Sequence, residues 1–128
     1  MGFLAWIADR IPSKQRAQWH YRRGLLHARL QKHQAASAEY SAAIEMENVP
    51  PELRAMALFN RALVSYAAGA ELDAIRDLNE VLAMNDIAEN VKTEARRKLV
   101  RMERTSERGE SPNPNISSLP PDGSHATQ

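Results

Sequence analysis

Residues 50–86 read PPELRAMALFNRALVSYAAGAELDAIRDLNEVLAMND and repeat residues 12–48, PSKQRAQWHYRRGLLHARLQKHQAASAEYSAAIEMEN, at an offset of 38 positions. Seven pairs of residues are identical at this offset: Pro12 with Pro50, Arg16 with Arg54, Ala17 with Ala55, Arg23 with Arg61, Leu25 with Leu63, Ala36 with Ala74 and Met46 with Met84. A third, partial copy begins at Ile87. Because self-similarity at this period is typical of stacked helical hairpins, the repeat predicts an all-α fold.

Prolines and a glycine mark the ends of helices in both copies. Pro12, Pro50 and Pro51 suit the first turn of a helix, where the missing N–H has no partner to lose, and Gly69 suits the left-handed conformation after a helix end. The spacing of small and apolar residues then predicts helices at residues 17–30, 34–46, 51–67 and 71–84. In the partial copy it predicts one amphipathic helix, at residues 88–104, which caps the array.

Small residues at matching places predict close packing of the two helices in each copy. Gly24 and Ala62 lie in the middle of the first helix, and Ala36 and Ala74 lie early in the second. With four further residues they make the chain resemble the tetratricopeptide repeat (TPR) family: Tyr40, Ala43, Gly69 and Leu82. The resemblance implies a short right-handed superhelix of antiparallel helical hairpins, with repeats at residues 13–48 and 51–86 and the cap at residues 88–104.

The chain also departs from the pattern of that family. His20, Arg23 and His27 stand where the family prefers Trp, Leu and Tyr. The period of 38 residues is longer than the usual period of about 34 residues.

The two ends of the chain differ in composition from the repeats. Residues 1–12 place Phe3, Leu4, Ile7 and Ile11 at helical spacing, which predicts a short amphipathic helix that caps the first repeat. The same segment, with Trp6, is a candidate for self-association, for docking of a partner or for shallow contact with a membrane. Residues 105–128 are rich in Ser, Pro and Asn, so we expect a disordered tail.

Composition excludes several kinds of chemistry. The chain has 128 residues, no cysteine and a formal net charge of +1, which excludes disulfides, thiolate zinc sites and a global attraction to nucleic acid. His20 and His27 are seven residues apart and do not form a metal pair on one helix. The acidic residues of the fourth helix, Glu71, Asp73, Asp77 and Glu80, are expected to form a solvated face. We therefore expect no enzyme activity, metal or cofactor, and a cytoplasmic protein.

Charge alternates between the helices. The first helix of each copy and the capping helix are mainly basic, whereas the second helix of each copy is mainly acidic. The TPR resemblance implies that first helices line a concave groove, so this groove should be basic. Its expected lining residues are Gln18, Tyr21, Leu25, Arg29, Met56, Phe59, Asn60, Leu63, Tyr66, Arg97 and Arg101. Asn60 matches a family position that often binds a peptide backbone, but Tyr21 replaces the basic residue that accompanies it in members that clamp a carboxylate.

These observations favour a non-catalytic adaptor that binds an acidic, partly apolar peptide or helix. One alternative is a peripheral protein that binds an anionic polymer or membrane surface through its basic helices and the N-terminal segment. Another is a structural subunit that self-associates through that segment. Tyr21, Leu25, Phe59 and Leu63 also suit a simpler role, which is packing within the chain.

Overall fold

The computed structural model describes residues 12–109, and these residues contain α-helices and no strand. The helices are α1 (Ser13–Arg29), α2 (His33–Glu45), α3 (Pro51–Ala67), α4 (Glu71–Ala83) and α5 (Glu89–Arg108). The prediction of an all-α fold is confirmed. The predictions for residues 1–11 and 110–128 lie outside the described residues. None of the helices within residues 12–109 is both long and apolar enough to cross a bilayer.

The last helix extends beyond its predicted end. We expected the tail to begin at residue 105, but α5 continues to Arg108 and ends at Gly109, whose φ of 71° is left-handed. Met102 is buried against the core, and the Thr105 hydroxyl donates to the Arg101 carbonyl oxygen at 2.9 Å. Polar residues between Met102 and Gly109 therefore belong to the helix, because none of them breaks it.

Each helix packs against the next one in the chain. In addition, α1 contacts α3 and α3 contacts α5, whereas α2 and α4 share no contact. The three odd-numbered helices therefore form one closely spaced layer, and α2 and α4 form a second layer behind it. Short connections such as the three residues between α1 and α2 join neighbouring helices as antiparallel hairpins.

A glycine and a tyrosine fix the packing of the first hairpin. Tyr40 of α2 is fully buried, and its ring lies directly over the backbone of Gly24 in α1. A Cβ atom at Gly24 would lie 2.6 Å from Tyr40 Cδ1, well inside van der Waals contact. In the second hairpin the matching residues are Ala62 and Leu78, so a larger residue in α3 faces a smaller one in α4. Both members of the second pair are fully buried, so each hairpin combines a small residue with a larger one at these two positions.

The acidic face that we expected on α4 is only partly solvated. Asp77 is buried, and both of its carboxylate oxygens accept hydrogen bonds from Arg61 of α3, from Nε and Nη2, at 2.8 Å each. The hydrogen bonds to Asp77 raise the pKa of the Arg61 guanidinium, whereas burial lowers it. The effect of Asp77 is the larger one, so the pKa is raised. The matching pair in the first hairpin, Arg23 and Glu39, is longer at 3.5 Å and more exposed. Asp77 is thus a structural residue, and the prediction of a solvated side chain there is wrong.

Candidate functional site

An open cleft lies between α3 and α5. Its volume is about 560 Å³, and it is lined by Met56, Phe59, Asn60 and Leu63 of α3 together with Asn90, Val91, Glu94 and Lys98 of α5. The four α3 residues are spaced by three and four positions, which places them on one face of the helix. Four of the predicted groove residues therefore line one cavity. We refer to it as the α3/α5 cleft.

The floor of the cleft is mostly apolar. Phe59, Leu63 and Val91 are partly buried and pack against the main core, so they have little freedom to move. Met56 lies nearer the opening and keeps 43% of its surface exposed. A cavity of this kind, apolar with a few fixed polar groups, is the usual form of a ligand site.

Asn60 is the fixed polar group of the cleft. Its Nδ2 donates hydrogen bonds to the hydroxyl oxygen of Tyr21 at 3.0 Å and to the Met56 carbonyl oxygen at 2.9 Å. Both amide hydrogens are therefore engaged, and the side chain has only its carbonyl oxygen to offer a ligand. Burial raises the pKa of Tyr21, and the hydrogen bond from Asn60 offsets part of this increase. Asn60 is thus held by α1 and by its own helix, and its carbonyl oxygen is the side-chain atom left to accept a hydrogen bond.

The charged edge of the cleft carries one residue of each sign. Lys98 and Glu94 both line it, and Glu94 Oε1 accepts a hydrogen bond from Arg97 at 2.7 Å. Arg97 is a predicted groove residue, and it reaches the cleft only through this ion pair. Because Arg97 balances Glu94, the remaining charge at the edge is that of Lys98.

A row of arginines lies on another face of α5. Arg96, Arg97, Arg101, Arg104 and Arg108 line a shallow groove of about 520 Å³ together with Val100 and Thr105. We call these five arginines the α5 arginine row. Arg96 pairs with Glu89 at 3.2 Å, whereas within residues 12–109 no carboxylate lies in ion-pair distance of Arg101, Arg104 or Arg108. The sequence had placed Arg101 in the same groove as Phe59, but the structure places the two residues on different surfaces.

The other predicted groove residues do not line the cleft. Leu25 packs in a small core cluster with Tyr40 and Val64, and Tyr66 packs against the main core. Gln18 is half-buried on α1 and Arg29 is exposed in its last turn. Leu25 and Tyr66 therefore pack within the chain.

Sequence reasoning missed the α5 side of the cleft. Asn90, Val91, Glu94 and Lys98 recur at intervals that keep them on one face of a helix, next to the face that carries the arginine row. The sequence contains that spacing, but the prediction for this helix named Arg97 and Arg101, which lie on the neighbouring face. Within the described residues no group of His, Asp or Glu side chains is arranged to bind a metal ion.

Comparison of the chain with models of protein families, with curated proteins and with solved structures finds no match.

Proposed function

We propose that the chain is a non-catalytic interaction module, built as a short TPR-like array, whose α3/α5 cleft binds a peptide or helix of a partner protein. The observation that carries the proposal is the cleft itself, in which Met56, Phe59 and Leu63 surround space for an apolar side chain. The fixed carbonyl oxygen of Asn60 adds a hydrogen-bond acceptor at the wall. An apolar anchor that enters the cleft would contribute about 1.5–3 kcal/mol through burial of its surface.

The charges around the cleft indicate the chemistry of the partner. Lys98 lies at the edge, where no carboxylate of the described residues is within ion-pair distance of it, and the α5 arginine row continues the positive surface along the same helix. Acidic residues that flank an apolar anchor would meet these cations, which favours correct partners and rapid association more than it raises affinity. The proposed ligand is therefore an acidic, partly apolar peptide.

Selection from a random peptide library displayed on phage, with the full chain as bait, tests the proposal. The selected peptides should share a large apolar residue next to Asp or Glu. Met56→Lys should abolish their binding, since it places a charged side chain at the mouth of the cleft. Leu72→Lys is the matched control, because Leu72 is an exposed apolar residue on α4, away from the cleft.

Circular dichroism should show the same helix content for both variants. Lys98→Glu should reduce binding of the acidic peptides while leaving the fold unchanged. If Met56→Lys and Leu72→Lys bind the selected peptides equally well, the cleft is not the binding site.

A second function is favoured by the α5 arginine row. Five arginines on one helical face form a surface that suits an anionic polymer or membrane, through bidentate contacts with phosphate or sulfate groups. This function predicts binding to heparin or to phosphatidylserine vesicles that weakens steeply with salt. Arg101→Glu with Arg104→Glu should abolish such binding, and Met56→Lys should not affect it.

A further inference from the structure

The outer face of α1 carries a stripe of exposed apolar side chains. Trp19 and Leu26 are 53% and 55% exposed, and Leu30 continues the same stripe. The guanidinium carbon of Arg23 lies 4.6 Å from the centre of the Trp19 ring and the His20 ring centroid lies 4.9 Å from it, yet about half of Trp19 stays exposed. Three large apolar residues on one face of a helix call for a covering element.

The internal repeat shows what covers this face in the second copy. At the offset of 38 positions, Trp19 and Leu26 match Ala57 and Val64 of α3, which are 0% and 6% exposed. These two residues are buried because α2 precedes α3 and packs against it. Val64 shares a core cluster with Tyr40 of α2, so the burial comes from that contact.

A hydrogen bond fixes the end of α2 against α3. Arg54 Nη1 donates to the carbonyl oxygen of Ile44, near the last turn of α2, at 3.0 Å. The residue that matches Arg54 in α1 is Arg16, and the residue that matches Ile44 is Trp6. Because the acceptor is a backbone carbonyl oxygen, which any residue supplies, the member of this contact that the first copy retains is the arginine.

The same offset identifies the covering element of α1. Residues 1–7 match residues 39–45, the second half of α2, and Ala5 and Trp6 match the buried residues Ala43 and Ile44. Ile11 and Pro12 match Val49 and Pro50, so the alignment runs without a gap from residue 1 to the start of α1. We propose that residues 1–11 pack over the Trp19 end of the stripe, in the place that α2 takes against α3, and that Arg16 donates a hydrogen bond to the Trp6 carbonyl oxygen.

Charge argues against a second copy of the chain on this face. Residues 14–32 contain no acidic residue and six basic ones: Lys14, Arg16, Arg22, Arg23, Arg29 and Lys32. Two such helices brought together would repel each other. Residues 1–11 carry one acid, Asp9, and one base, Arg10, and avoid this repulsion. Packing of residues 1–11 against α1 leaves the α3/α5 cleft free, because α1 and α5 are the first and last helices of the array.

A pair of variants of the full chain tests the proposed packing. Both are made with Trp6→Phe, so that Trp19 is the only tryptophan and reports on its own surroundings. Ala5→Glu places a charge where the matching residue Ala43 is fully buried, whereas Ile7→Glu places the same charge where the matching residue is the exposed Glu45. The repeat thus predicts opposite results for two apolar positions that are two residues apart.

Ala5→Glu should shift the fluorescence of Trp19 to longer wavelength, increase its quenching by acrylamide and lower Tm by roughly 5–10 °C. Ile7→Glu should leave all three unchanged. Arg16→Met should lower Tm in the chain with the intact segment and have no further effect in the Ala5→Glu variant.

Three outcomes would overturn the proposal. One is an equal response of Trp19 to the two glutamates. The second is shielding of Trp19 that increases with protein concentration, since a second copy would then be the occupant. The third is shielding that appears only when anionic vesicles are added, because the occupant would then be a membrane surface.

Discussion

Gly24→Ala should destabilise the protein although alanine is the better helix former. The added Cβ would lie 2.6 Å from Cδ1 and 3.0 Å from Cζ of Tyr40, whereas carbon atoms in contact prefer about 3.5–4.0 Å. The Tyr40 ring is fully buried, so it has no open space into which it can move. Overpacking of this kind costs up to about 3 kcal/mol, and the helix propensity of alanine returns about 1 kcal/mol. We expect a net loss of about 2 kcal/mol in the free energy of unfolding.

The second hairpin indicates how this loss can be reversed. There Ala62 faces the smaller Leu78, which is the matching pair of residues. Tyr40→Leu should therefore relieve the clash made by Gly24→Ala, although Tyr40→Leu alone leaves a cavity and is itself destabilising. The loss of stability in the double variant should be smaller than the sum of the two single losses by about 1–2 kcal/mol.

Urea unfolding of the full chain, followed by far-ultraviolet circular dichroism, measures the four members of this cycle. Ala62→Gly is a control for helix propensity at the matching position and should cost about 1 kcal/mol. The reasoning is refuted if Gly24→Ala is as stable as the parent chain, or if the costs of the two single variants simply add.

Two further predictions concern buried polar groups. Asp77→Ala should lower the free energy of unfolding by about 3 kcal/mol, because it leaves the Arg61 guanidinium without its carboxylate partner. Arg23→Ala, which removes the exposed cation of the matching pair, should cost less than about 1 kcal/mol, and equal losses in urea unfolding would contradict this. Burial, and to a smaller extent the charge of Tyr21, raises the pKa of Tyr40 to about 12. Because an unfolded tyrosine loses its proton near pH 10, this contribution to stability is complete below about pH 10 and is lost as the pH rises towards 12. Between pH 9 and pH 11, the free energy of unfolding of Tyr40→Phe should therefore fall by about 1 kcal/mol less than that of the parent chain. If the two free energies fall in parallel, Tyr40 is not the cause.

The repeat predicts the helices well because their limits depend on local sequence. Pro50 and Pro51 start α3 as expected, and Gly69, at a φ of 90°, follows its end. The end of α5 was less predictable, since the polar residues after Arg104 tolerate both helix and tail. The local signal for this end is Gly109, which follows the last helical residue in the left-handed conformation.

The candidate site was predictable on one side only. The repeat and the family resemblance together predict groove residues on α3. Four of them line one cleft: Met56, Phe59, Asn60 and Leu63. A repeat cannot show which face of the unpaired α5 turns towards α3, because α5 has no complete copy. Asp77 was misjudged for a related reason, since its burial depends on Arg61 of another helix.

Matching positions relate the cleft to a contact between α1 and α3. Tyr21 of α1 accepts a hydrogen bond from Asn60 of α3, which joins these two helices at the front of the layer. One repeat further along, the matching residues are Phe59 and Lys98. Phe59 has no hydroxyl group to accept a hydrogen bond from Lys98, so this link is absent and both side chains line the open cavity. At the place where a hydrogen bond joins α1 and α3, α3 and α5 thus present an aromatic ring and an amine together, a combination that suits the acidic, partly apolar peptide proposed above.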